Sequence, residues 1–136
     1  MIRFSKISIY SFSLFFMIIS NAVTFAKAAE FHCDTVKKYS SLGEEAEENL
    51  RKYKYQSRIK EDGKKTTYSR CSVATGKGLT CDDYAVDKIE KDSNVGHKKY
   101  YYFRGQADLQ IFQDLSAVEN NGRGQVSYQK CKVVSP

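Results

Sequence analysis

Residues 98–104, Lys-Lys-Tyr-Tyr-Tyr-Phe-Arg, place four consecutive aromatic side chains between basic residues. In an extended strand, alternation sends Tyr100 and Tyr102 to one face and Tyr101 and Phe103 to the other. Large rings on both faces call for cover on both sides, so the stretch predicts a central strand of a sheet. Lys98, Lys99 and Arg104 guard its ends against edge-to-edge pairing. A second use of the same residues is a stacking platform for single-stranded nucleic acid, with Tyr100 and Tyr102 under the bases.

Working outward, the flanking segments read as further strands and turns. Residues 105–108 turn. Residues 109–115, LQIFQDL, alternate with Leu109 and Ile111 on one face and Gln110 and Phe112 on the other. Residues 120–124, NNGRG, turn again, and residues 125–134 form a last strand. Upstream, residues 89–96 are polar and read as loop, and residues 80–86 as a return strand. Residues 73–79, with Gly76 and Gly78, read as loop, and residues 66–72 as a strand. Asp62-Gly63 is a hairpin signal within the turn 60–65. The clearest helix spans 41–55. Ser41 and Glu44 match a capping box, and Leu42, Ala46, Leu50 and Tyr53 make an apolar stripe. Its acids come first and its bases last, as the helix dipole favours. The expectation is an α+β domain, one helix packed on a central antiparallel sheet of four or five strands.

The chain has 136 residues, and its opening differs from the rest. Arg3 and Lys6 precede a mostly apolar run, and Ala26-Lys27-Ala28 supplies small residues for cleavage. Residues 1–28 therefore read as a secretory signal peptide, leaving residues 29–136 as one small domain. A membrane anchor fits less well, because Ser11, Ser13, Ser20 and Asn21 interrupt the run. No later segment is apolar enough to span a bilayer. Loss of Arg3, Lys6 and Lys27, and of no acid, lowers the net charge from +6 to +3. The basic balance is thus too small to require a nucleic-acid partner. Four cysteines, Cys33, Cys71, Cys81 and Cys131, all follow residue 28. In a small secreted domain an even count means two disulfides, with three connectivities open. Terminal placement favours Cys33–Cys131, and hairpin spacing favours Cys71–Cys81. No C-x-x-C pair is present, and no metal or other cofactor is expected.

Phe31-His32-Cys33 just past the cleavage site, the late Cys131, the KYYYF strand and the turn Asn121-Gly122-Arg123-Gly124 together resemble a known family. The chain is similar to the ribonuclease-like secreted effectors of powdery mildew fungi, relatives of the small fungal guanyl-type ribonucleases. The resemblance implies a microbial ribonuclease-like fold. It also implies a protein secreted by a fungus and translocated into the host plant cell, where a host protein, an immune receptor included, meets it. It is expected to act as a monomer, with no membrane attachment after cleavage. Ribonuclease chemistry needs a carboxylate base and a histidine acid for the leaving oxygen. His32 and His97 are the only histidines, and none follows the central strand. His32 reads as structural or exposed and His97 as a surface loop residue. The expectation is a pseudoenzyme without catalytic residues. Lys98, Lys99, Arg104 and Arg123, with Tyr100 and Tyr102, are the candidate residues for binding host RNA or a protein partner. An active secreted ribonuclease and an extracellular disulfide-stabilised toxin are the alternatives.

Overall fold

A computed structural model describes residues 29–94 and 96–134. The expected signal peptide lies outside the described residues. Ten strands and one short helix follow in order: β1 (Ala29–Ser40), β2 (Gly43–Glu44), α1 (Glu47–Tyr53), β3 (Gln56–Asp62), β4 (Lys65–Val73) and β5 (Leu79–Ala85) come first. β6 (Lys88–Asp92), β7 (His97–Tyr102), β8 (Ala107–Ile111), β9 (Ser116–Asn120) and β10 (Val126–Val134) complete the chain. All pairings are antiparallel, and the order across the sheet is β5-β4-β3-β1-β10-β9-β8-β7-β6, with β2 hooked onto β1.

The twist natural to strands rolls this long sheet into a half-barrel. Its first and last strands, β5 and β6, are two halves of one segment. The Val86 N–H donates to Thr66 O at 3.0 Å, and the next amide, Asp87 N–H, donates to Tyr101 O at 2.8 Å. The chain therefore changes partner from β4 to β7 within one residue, and the sheet's two edges meet there. Tyr84 stacks on Tyr102 with ring centroids 4.6 Å apart, sealing that seam from inside. Val36 is an extra residue in β1 between the Thr35–Gln129 and Lys37–Tyr128 pairs, a bulge that bends the strand into the curl.

The concave face holds the core: Cys33, Ile59, Tyr68, Tyr100, Leu109, Ile111 and Ala117 are buried, with Phe31, Leu115 and Cys131 packed on them. Along β3 the inward positions read Ser57, Ile59, Glu61, so an apolar middle is flanked by polar ends. The disulfides are Cys33–Cys131 and Cys71–Cys81, the pairing favoured by position and spacing. In each, the two cysteines face each other directly across neighbouring strands.

Several expectations need correction. The fold is mostly β and is not an α+β ribonuclease-like domain with a helix on a sheet. The helix covers only Glu47–Tyr53, buries no residue and has Ala46, without a side-chain cap bond, at its start. Ser41 caps nothing. Gly43, at φ +110°, lets the chain turn back so that Gly43 and Glu44 pair with Ser40 and Tyr39. Leu42, the first residue of the supposed stripe, is 97% exposed. The tyrosine strand, β7, lies next to the β6 edge, and the middle of the sheet is β1 beside β10. Residues 89–92, expected in a loop, belong to strand β6, and β9 was not foreseen.

Candidate functional site

The polar end of the concave face is built by strands that the sequence keeps far apart. Glu119 of β9 is buried and accepts hydrogen bonds from the hydroxyls of Ser57 (β3) and Tyr68 (β4). Arg70 Nη2 lies 3.5 Å from the other carboxylate oxygen. Gln129 of β10 donates from Nε2 to Ser57 Oγ at 2.9 Å and to Thr35 Oγ1 at 3.3 Å. Burial, reinforced by the charge of Glu119 and its hydrogen bond, pushes the Tyr68 phenol far above its ordinary value. This proton stays on Tyr68 and serves as a donor only.

Above this network opens a pocket of about 190 Å³. Lys38, Tyr55, Arg70, Asp82, Tyr84 and Gln129 are among its walls. Lys38 Nζ sits 4.0 Å from the centre of the Tyr55 ring, a cation–π contact. Burial, with Arg70 nearby, lowers the lysine's hold on its proton. Burial raises the Tyr55 phenol, with Glu45 adding to the effect. The walls carry two cations and two carboxylates, Lys38 and Arg70 against Asp82 and Glu119, so the lining has no net charge.

The residues singled out in the sequence fall elsewhere. Tyr100 is 1% exposed, its hydroxyl bound to Glu61 across the concave face. Burial first, then that bond and the Glu61 charge, push its phenol far up. Lys98 Nζ is held 3.0 Å from the same carboxylate. Tyr102 lines the seam with Tyr84. Lys99 points the other way, 3.9 Å from Asp108 and 4.9 Å from the Tyr101 ring centre. Arg104 and Arg123 are exposed on two turns that touch. A Cβ on Gly122 would lie 2.1 Å from the Gly105 carbonyl oxygen, so the 103–106 and 121–124 turns pack backbone to backbone. Phe103, 58% exposed, stands beside Arg104 on the first turn. The six residues thus separate into an interior set (Lys98, Tyr100, Tyr102), an outward lysine and a loop pair. Phe31 packs on the core, and His32 Nε2 lies 2.8 Å from Glu30 Oε1. His97 begins β7, half-buried against Phe112, rather than standing in a surface loop.

Among the described residues no group of three or more His, Cys, Asp or Glu is placed to hold a metal, and no helix is long and apolar enough to cross a membrane. Comparison with known proteins found no matching family model, no matching curated protein and no matching solved structure.

Proposed function

We propose that the chain is a secreted, non-catalytic effector that binds a host plant protein through the paired turns carrying Phe103, Arg104 and Arg123. The observation that carries this reading is the contact of Gly122 with the Gly105 carbonyl, which fixes an exposed aromatic ring and two exposed arginines on one rigid rim. Aromatic and arginine side chains are the usual anchors of protein interfaces, and rigid presentation lowers the entropy lost on docking. Two disulfides are compatible with an extracellular protein. Phe31-His32-Cys33, with Cys33 bonded to Cys131, supports the resemblance to secreted powdery mildew effectors, and entry into the host cell rests on that resemblance alone.

A protein partner is favoured over RNA because the rings proposed for stacking, Tyr100 and Tyr102, turn into the concave face. Catalysis is disfavoured because the inward carboxylates Glu61 and Glu119 are both engaged by tyrosine hydroxyls and a cation. The test uses residues 29–136, oxidised, with a Phe103→Ala, Arg104→Ala, Arg123→Ala variant. A partner cross-linked from host extract by the parent and lost by the equally stable variant is expected. Incubation with RNA should give no cleavage. Turnover of RNA would overturn the non-catalytic reading, and undiminished capture by the variant would remove the rim from it.

A further inference from the structure

A second pocket, of about 310 Å³, opens at the other end of β7 from the rim. Phe31, Phe112 and Leu115, each half-buried, give it open apolar surface, and the buried Tyr100 and Ile111 close its floor. Leu115 takes its place with φ +67°, a left-handed backbone that a bulky side chain rarely adopts. Its N–H donates to Phe112 O at 3.0 Å, and its carbonyl accepts from the Cys131 N–H at 2.7 Å, so the surrounding chain holds it there. Backbone strain kept by its surroundings gathers at ligand sites.

The mouth of this pocket is cationic. Lys91 of β6 and Lys98 of β7 are direct cross-strand partners, and both line it. Like charges directly opposite each other repel. Glu61 neutralises Lys98 at 3.0 Å. Lys91 is exposed, and among the described residues no carboxylate lies within ion-pair distance of it. Among the described residues no acid lines the pocket either, so the mouth keeps one uncompensated positive charge. Gln113, exposed beside it, adds amide donors. A sugar or an inorganic phosphate would press hydroxyls or charge against aromatic and aliphatic walls that offer them no partner. An ammonium would meet two lysines. A monoanion on an apolar body suits both parts. The volume stands at the lower end of the roughly 300–1,000 Å³ of small-molecule sites, which is room for one short chain or fused ring.

We infer that this pocket binds a small carboxylate with an apolar body, its charge at Lys91 and its body on Phe31, Phe112 and Leu115. The inference does not depend on the protein-binding rim. A fatty acid and an aromatic acid present the same chemistry.

Hexanoate, octanoate, decanoate and 1-naphthoate are titrated into the oxidised domain of residues 29–136, followed by magnetic resonance of the protein. Octanol and octylamine are the neutral and cationic comparators. Octanoate should bind more tightly than either. Affinity should rise about two- to fourfold with each added methylene until the pocket is full. Resonances of Phe31, Phe112 and Leu115 should shift, and those of Phe103 should not. Lys91→Glu should weaken octanoate about three- to tenfold and leave octanol unchanged. Because Lys91 is exposed and has no ion-pair partner, this variant should melt with the parent. The order of octanoate and 1-naphthoate distinguishes a chain from a ring, and either order supports the inference. Octylamine binding as tightly as octanoate, shifts confined to other residues, octanoate affinity untouched by Lys91→Glu, or no carboxylate binding at millimolar concentration would each overturn it.

Discussion

Two phenols, Tyr68 and Tyr100, carry a pH dependence that the sign of their shifts fixes. Both are raised, first by burial and then by the carboxylates they donate to. In the unfolded chain they ionise near pH 10, while in the fold they keep their protons. Above pH 10 the unfolded state therefore binds fewer protons, and stability falls as pH rises. Each tyrosine contributes about 1.4 kcal/mol per pH unit, so the pair contributes about 2.8. Lys38 acts in the opposite sense, because its lowered value lets the unfolded chain bind the extra proton below 10.5. One lysine does not offset two tyrosines. Urea midpoints across this alkaline range should fall steeply for the parent and much less for a Tyr68→Phe, Tyr100→Phe variant. An unchanged slope would mean that the hydroxyls reach water. Glu119 makes a second residue-scale prediction. Glu119→Ala strands two hydroxyls and Arg70 in the interior, and should cost about 3–5 kcal/mol. Glu119→Gln keeps an acceptor and should cost less, both read from denaturation curves. Glu119 itself was not legible as a site residue, because its partners Ser57, Tyr68 and Arg70 come from two other strands, and Gln129 joins through Ser57 from a third, so they form no local motif.

Elements were legible where alternation and turn chemistry agree. β4, β5 and β10 stand within about a residue of their expected bounds, and Gly63, at φ +54°, turns the β3–β4 hairpin. β6 was hidden because an edge strand needs no apolar face, and KIEKD is charged on most positions. β9 was hidden because its inward positions hold small Ala117 and charged Glu119, which leaves no run of large apolar residues on the buried face. The helix was overread because the S-x-x-E box contains Gly43, whose positive φ suits a turn and not a first helical turn. Ser41→Ala should accordingly leave stability within about 0.5 kcal/mol of the parent. The 121–124 turn makes the sharper prediction. Gly122 and Gly124 share a left-handed backbone, φ +73° and +74°, which by itself costs an alanine about 1–2 kcal/mol. Around Gly124 there is open space, whereas at Gly122 the new methyl collides with the Gly105 carbonyl. Gly122→Ala should therefore lose well over twice what Gly124→Ala loses in a urea melt. Equal losses would mean that the two turns are not in contact.

At the scale of the molecule, the curled sheet is held by two closures of different kinds. The Cys33–Cys131 bond staples the two middle strands across a sequence separation of 98, and Cys71–Cys81 staples β4 to edge strand β5 across 10. Loop-closure entropy gives roughly 4.7 kcal/mol for the long loop and about 3 kcal/mol or less for the short one. Both cysteine pairs were legible, since terminal placement and hairpin spacing are properties of position. The second closure was not legible, because it depends on curl: the segment from β5 to β6 changes partner at Val86 and Asp87, with no covalent mark in the sequence. The two closures should separate in hydrogen exchange. If the edges meet, the Val86 and Asp87 amides exchange only when the seam opens, and their protection should exceed that of the exposed 74–78 loop by orders of magnitude. Tyr84→Ala removes the ring stacked on Tyr102 and should release these two amides selectively, with those of β1 and β10 still protected behind the Cys33–Cys131 bond. Replacing Cys33 and Cys131 by serine should instead lower protection everywhere, because the loss falls on the middle of the sheet. If Val86 and Asp87 exchange as fast as the 74–78 loop in the parent protein, the sheet is open along one side and Tyr84 and Tyr102 do not seal it.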